Sequence, residues 1–189
     1  LILKKRIGAE KTPLLGHNVI YSVVGAFILW LCWFGFNAGS TLTIADGFFS
    51  YVALTTLLAT AAGALGALAI SFWHRRVADI PSIINGVLAA LVAITAACAF
   101  VEPWGAVVIG FLAGVITYGT SILLARRVDD PLCAFSVHGV AGIWGTLATG
   151  FFASPRLVEM TGIGQAGLFY GGGFTQLGVQ ALGVVFAVV

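Results

Sequence analysis

The sequence predicts an all-α protein, a polytopic membrane helix bundle of about six transmembrane helices. Of the 189 residues, 60% are hydrophobic and only 8% are charged, and the mean hydropathy is +1.06. A soluble domain carries roughly a quarter charged residues, so this chain lacks the polar surface that water requires. Short polar segments also divide it into six apolar stretches of about 20 residues, the length that crosses the hydrocarbon core of a bilayer.

The six apolar stretches follow one another with short connections. They lie at about 18–38, 48–72, 83–101, 104–125, 132–153 and 168–189. The connections read, in order, GSTLTIADG, WHRRVADIPS, VEPWG, RRVDDP and SPRLVEMTGIGQAG. No initiator methionine or signal-peptide pattern precedes the first stretch, and no polar residue follows the sixth. We therefore expect the sequence to be a piece of a longer protein.

The basic residues orient the predicted bundle. The loops alternate in side with each crossing, and eight of the nine Lys and Arg residues then share one face. These eight are Lys4, Lys5, Arg6, Lys11, Arg75, Arg76, Arg126 and Arg127, whereas Arg156 lies on the other face. The positive-inside rule makes the basic face cytoplasmic. Because the net charge of +2 comes from residues at membrane borders, it does not indicate a nucleic-acid partner.

One ionisable side chain, His138, lies deep in a predicted span. Asp130 followed by Pro131 predicts a helix start, because a carboxylate caps free N–H groups and proline suits the first helical position. His138 would then lie about 10–12 Å along the helix from that start. Ionisable groups at such depth usually face a protein interior or a permeation pathway. A packed core histidine is the alternative interpretation.

The inventory of motifs argues against enzymatic chemistry. There is no HExxH, no GxSxG, no phosphate-binding glycine loop and no pair of aspartates in facing spans. A haem or metal site would need further ligands at suitable depth, so we expect no cofactor. Cys32, Cys98 and Cys133 are expected to be small buried hydrophobes, and the glycines at 139, 142 and 145 are expected to serve helix packing. The remaining interpretation is a permeation path for a small solute.

Two long motifs carry a family resemblance. The segment WFGFNAGS at 33–40, and DDP at 129–131 followed by FSVHGVAGIWG at 135–145, closely resemble the ammonium transporter family (Amt/Mep/Rh) on its Amt branch. The segment TAAC at 95–98 is similar to a further family motif. The resemblance covers essentially all 189 residues. It implies the second half of an eleven-span fold built from two inverted five-span repeats, with a pore between the repeats and a homotrimeric assembly in the lipid bilayer.

The resemblance also implies roles for individual residues. Ser40 resembles the hydroxyl that helps receive ammonium outside the membrane, and Phe36 resembles one of two stacked rings that close the vestibule. His138 resembles one of the twin pore histidines, and Thr95 is expected to contact the path. The second histidine and the second phenylalanine belong to the preceding half. Ammonium would be deprotonated, and ammonia would cross the apolar pore.

The chain departs from the family pattern at several positions. The family usually has Asp at the position of Cys133 and Gly at that of Ser136, and commonly has Pro and Gly at those of Ala96 and Ala99. These departures keep two alternatives open: an ammonium-sensing membrane module fused to a signalling domain, and a generic small-solute channel. A regulator of the PII type at the cytoplasmic face is a further partner that the resemblance implies.

Overall fold

A computed structural model describes residues 16–45, 47–125 and 129–188, and within them the chain is helical, with a single isolated β-bridge between Val101 and Ala153. The α-helices are α1 Val19–Asn37, α2 Phe48–Arg75, α3 Ile80–Thr95, α4 Pro103–Ala125, α5 Ala141–Phe152, α6 Pro155–Thr161 and α7 Thr175–Val188. A π-helical turn, Phe135–Val140, leads directly into α5, and short 3-10 turns lie at Gly39–Thr41 and Leu168–Tyr170. The fold is an all-α bundle, as the sequence predicts.

Polar side chains begin two of these helices. The Asn18 side chain accepts hydrogen bonds from the backbone N–H groups of Ile20 and Tyr21 at the start of α1. The Asp79 carboxylate accepts from the Ser82 N–H at the start of α3, where a proline follows in the first turn. Both caps satisfy N–H groups that have no partner inside the helix.

Helices α2, α3 and α4 pack closely on one another and form the centre of the bundle. Their contact surface is built from small residues: a Cβ atom on Gly110 would lie 2.0 Å from the Ala59 carbonyl oxygen, and one on Gly63 would lie 2.3 Å from the Ala90 Cβ. Backbones can approach this closely only where no side chain intervenes. Small residues therefore serve helix packing in α2, α3 and α4.

Three helices are long and apolar enough to cross a membrane by their length and composition: Val19–Thr41 (α1 with its following 3-10 turn), α2 and α4. The other predicted spans are shorter as helices. Helix α3 ends at Thr95, and a run of turns carries the chain to Val101 instead of the helix that the sequence predicts. Helix α7 begins at Thr175 rather than near 168, because Gly171 and Gly173 adopt left-handed backbone angles just before it.

Helix α1 lies at the edge of the bundle. It contacts α3 and, less extensively, α2, and of its residues only Ala26 and Asn37 are buried. Most basic residues that orient the predicted topology, including all those before 16 together with Arg126 and Arg127, lie outside the described residues. The orientation and the membrane boundaries of each span therefore stay predictions.

Candidate functional site

The end of α1 carries two of the predicted path residues. The Phe36 side chain is 60% exposed, and Ser40, in the 3-10 turn that follows the helix, is exposed as well. The Ser40 hydroxyl donates a hydrogen bond to the Phe36 carbonyl oxygen at 2.5 Å. Because a hydroxyl oxygen also accepts hydrogen bonds, Ser40 still offers lone pairs to a donor outside the protein. The two residues therefore form one exposed polar and aromatic end of α1.

Trp33 connects this end of α1 to the fourth predicted residue, Thr95. Its indole Nε1–H donates to Thr95 Oγ1 at 2.9 Å, and its ring meets Phe36 edge-on, with centroids 5.9 Å apart and an interplanar angle of 76°. The Thr95 hydroxyl donates in turn to the Leu91 carbonyl oxygen at 2.8 Å. Trp33 was not among the predicted site residues. Its position three residues before Phe36, one helical turn away, was the available signal.

The segment before His138 is capped as predicted but begins differently. Both oxygens of the Asp130 carboxylate accept hydrogen bonds, from the N–H groups of Ala134 and Phe135, each at 2.9 Å. Pro131, however, lies in a turn, and Cys133 has a left-handed φ of 52° before the helix starts. The prediction that Pro131 is the first helical residue is wrong, because the turn lets the carboxylate fold back over the first free N–H groups. His138 accordingly lies about one turn from the helix start rather than 10–12 Å along it.

His138 lies in the middle of a π-helical turn. The Ala141 N–H is shared between the carbonyl oxygens of His138 and of Ser136, five residues back. Ser136 and Val137 face the protein, at 1% and 2% exposure, whereas His138 is exposed beside Phe135. Among the described residues the imidazole has no hydrogen-bond partner. The imidazole is therefore not enclosed by the described part of the chain, and π-turns of this kind recur at functional sites.

Helix α3 is the common support for both parts of the site. Thr95 lies at its end, and a Cβ atom on Gly145 of α5 would lie 2.0 Å from the carbonyl oxygen of Ala93, two residues earlier. The π-turn itself packs on α3 and α4. No hydrogen bond or ring contact within the described part of the chain joins His138 directly to Trp33. Their relative placement consequently depends on how the π-turn and α5 pack on α3.

Comparison with known proteins identifies the family of the chain. A sequence model of the Ammonium Transporter Family matches residues 1–189. The chain belongs to the ammonium transporter family. Its homologues are named as transporters and are integral membrane proteins, so the predictions of a membrane protein and of a non-enzyme are confirmed.

The relatives that this chain matches are longer proteins, and each match covers only part of the relative. It is 51% identical over 139 residues to ammonium transporter Amt2 of Archaeoglobus fulgidus, an alignment that covers 73% of this chain and 30% of that protein. It matches the crystal structure of Saccharomyces cerevisiae Mep2 with a TM-score of 0.81 and 34% identity over 90% of this chain and 41% of that one. A structure titled Sensor Amt Protein matches with a TM-score of 0.80 and 36% identity, over 90% of this chain and 40% of that one. The chain thus spans between about three and four tenths of the length of these relatives.

Two departures from the family pattern fall close to the π-turn. Ser136 is buried on the side away from His138, and its carbonyl oxygen accepts a 3.4 Å hydrogen bond from Thr117 of α4. Its hydroxyl therefore does not add a polar group beside the imidazole. Cys133 is only partly buried, and Cys32 is exposed. The prediction that all three cysteines are buried holds for Cys98 alone.

At the bundle end that the topology predicts to be external, a carboxylate joins three segments. Glu102 accepts hydrogen bonds from Ser154 Oγ at 2.8 Å and from Tyr51 Oη at 3.3 Å. Arg156 adds two more, from Nε and Nη2, each at 3.3 Å. Burial alone would raise the pKa of Glu102, but the hydrogen bonds from Ser154 and Arg156 and the arginine charge outweigh it, and the pKa is lowered. The start of α2, the α3–α4 connection and the start of α6 are thereby held together.

Proposed function

We propose that this chain forms, together with the rest of a longer protein, a transmembrane pathway for ammonium and ammonia. The observation that carries the proposal is the exposed His138 imidazole on an otherwise apolar helix in a member of the ammonium transporter family. Isolated histidines are expensive in a membrane and are kept where they face a pathway. The sequence motifs at 33–40 and 135–145 support the same function.

The proposed mechanism follows from the cost of moving charge through hydrocarbon. Ammonium is received at the exposed end of α1, where Ser40 offers an acceptor and Phe36 an aromatic face, which attracts cations. Ammonium gives up a proton to water at this exposed end, because the neutral molecule crosses an apolar pore at far lower cost than the cation, and the proton's own route passes by the pore histidines. Ammonia then passes His138, whose neutral imidazole has one donor and one acceptor. Trp33 holds Phe36 and Thr95 in fixed positions beside the path.

The exposed face of α1 supports the view that the pathway needs a further part of the protein. A groove of about 160 Å³ between α1 and α3 is lined by apolar side chains. Within it the buried Nε1 of Trp30 has no hydrogen-bond partner among the described residues. A buried donor without a partner costs roughly 1–3 kcal/mol. We propose that the preceding half of the protein covers this face and that the two halves share one pore. The assembly that we propose is a homotrimer with its basic face in the cytoplasm. A PII-type regulator would bind at that face.

The test is uptake into proteoliposomes. The full-length parent is expected to accumulate labelled methylammonium and to exclude potassium, whereas residues 1–189 alone are expected to conduct neither. Uptake by the isolated segment would contradict a shared pore. Permeation of potassium or of unrelated neutral solutes by the parent would favour a generic channel. Cysteine labelling of the parent should find 41–46 accessible from outside and 75–79 from inside, and the reverse pattern would refute the orientation.

A sensor is the second candidate, favoured by the similarity to the structure titled Sensor Amt Protein. In this alternative the membrane module binds ammonium and acts on a signalling domain that follows residue 189. The complete reading frame discriminates the two, because a kinase or cyclase domain after this segment indicates a sensor and a short tail indicates a transporter.

A further inference from the structure

The first motif contains one buried polar residue, Asn37. It is the last residue of α1, directly after Phe36 and three residues before Ser40. Its side chain is only 5% exposed, whereas Phe36 and Ser40 on either side of it are exposed. Because burying an amide costs free energy unless the amide is hydrogen-bonded, Asn37 requires a partner inside the bundle.

The partner of Asn37 is a threonine of α2. The Asn37 Nδ2 donates a hydrogen bond to Thr56 Oγ1 at 3.2 Å, and Thr56 is fully buried. The proton of the Thr56 hydroxyl is already in use, because Oγ1 donates to the Val52 carbonyl oxygen at 2.7 Å. Thr56 therefore acts as an acceptor toward α1, and residue 37 must supply an N–H donor.

This hydrogen bond fixes the last turn of α1 against α2. On its other side the same turn is held by the hydrogen bond from Trp33 to Thr95 of α3. Ala38, which follows Asn37, is fully buried in the core of the bundle, and Ser40 lies in the 3-10 turn that begins at the next residue. The exposed end of α1 is thus joined to the bundle through residues that are themselves fixed on α2 and α3.

We propose that Asn37, through its hydrogen bond to Thr56, is a positioning residue for the reception of ammonium by Phe36 and Ser40. This inference rests on the proposed function of that end of α1. Without the bond, the end of α1 adopts its receiving arrangement for only a fraction of the time, and the apparent affinity falls by that fraction. The expected loss is about fivefold, the equivalent of about 1 kcal/mol for one hydrogen bond.

The experiment measures the concentration dependence of labelled methylammonium uptake by the full-length parent in proteoliposomes. Asn37→Leu and Thr56→Val each remove one side of the bond with little change in volume, and each should raise the apparent KM about fivefold. The maximal rate per assembled protein should change less than about twofold, because the pore itself is unaltered. Thr56→Ser keeps the hydroxyl and should retain the KM of the parent.

Thr60→Val is the matched control on the same helix. Thr60 lies one turn further along α2 and is equally buried, and its hydroxyl donates to the Thr56 carbonyl oxygen at 2.6 Å, within α2. Its replacement should leave the KM unchanged. In the double variant Asn37→Leu, Thr56→Val the two effects on KM should not multiply, because both changes remove the same bond.

A general loss of stability has a different signature, since it lowers the amount of assembled protein and hence the total rate, but not the KM. If the parent takes up methylammonium and both single variants keep its KM, the positioning role is refuted while the proposed function stands. A KM raised equally by Thr60→Val, or multiplied effects in the double variant, would also refute it. If Asn37→Leu fails to assemble on gel filtration, the comparison of Thr56→Val with Thr56→Ser decides. A parent without uptake would refute the proposed function, and this role with it.

Discussion

The contact between α3 and α5 can be tested at a single glycine. A Cβ atom at Gly145 would lie 2.0 Å from the Ala93 carbonyl oxygen, whereas ordinary contact begins at 3.4 Å. In Gly145→Ala the two helices must therefore separate locally by about 1.4 Å, the difference between these distances. Overpacking of this kind typically costs about 1–3 kcal/mol. Since α5 continues the π-turn, the displacement should also move His138 relative to Thr95.

Gly142→Ala is the matched control on the same helix. Its Cβ atom would lie 3.7 Å from Val92 Cγ1, which is ordinary contact. Both variants gain the same helix propensity, up to about 1 kcal/mol, so the difference between them isolates the steric term. We expect Gly145→Ala to have a lower Tm than Gly142→Ala in the detergent-solubilised parent, and to show reduced methylammonium uptake in protein that assembles. Equal Tm and equal uptake in the two variants would refute the close α3–α5 packing and the dependence of the site on it.

Three further predictions concern individual polar contacts. Trp33→Phe removes the hydrogen bond to Thr95 and should lower stability by about 1 kcal/mol and reduce uptake; uptake equal to that of the parent would contradict a positioning role. Asp130→Ala removes the cap on the π-turn segment and should cost about 0.5–2 kcal/mol in denaturant titration, whereas Asp130→Asn should restore part of the loss; equal losses in both variants would argue against capping. Glu102 has a lower pKa in the folded protein than in the unfolded chain. Its contribution to the free energy of unfolding is therefore present above the unfolded pKa of about 4.3 and is lost as the pH falls through the lower folded value. The Tm difference between the parent and Glu102→Gln should vanish on acidification, and a pH-independent difference would exclude the charged network as its cause.

Much of the fold was predictable because the length of an apolar stretch and its content of small residues can be read directly from the sequence. The apolar stretches at 18–38, 48–72 and 104–125 correspond to α1, α2 and α4, since nothing within them interrupts a helix. Helix α3 ends at Thr95, earlier than predicted, and the hydropathy of the sequence does not indicate this end. The Thr55 hydroxyl of α2 donates to the Cys98 carbonyl oxygen at 2.8 Å, so a side chain on a neighbouring helix stabilises the turn.

Individual residues of the candidate site were predicted from the sequence, but the contacts that join them were not. Phe36, Ser40 and His138 were identified from motifs, and the structure adds that all three are exposed. Trp33 was not among the predicted site residues, although it lies in the first motif. Its role depends on Thr95, 62 residues away in sequence, and spacing along one helix cannot reveal such a partner. The π-turn could not be predicted from helical periodicity either. Its hydrogen bonds join residues five apart, and no particular residue type in the sequence marks it.

The most direct test of the central proposal is the selectivity of His138 variants in the full-length parent. We predict that His138→Gln changes the ratio of methylammonium to ammonium conduction, and that His138→Asp reduces ammonia conduction or admits potassium, because a fixed negative charge then lies in the path. His17→Gln, which changes an exposed histidine before α1, should leave rate and selectivity unaltered. With assembly verified by gel filtration, unchanged rate and selectivity in both His138 variants would contradict the pathway assignment.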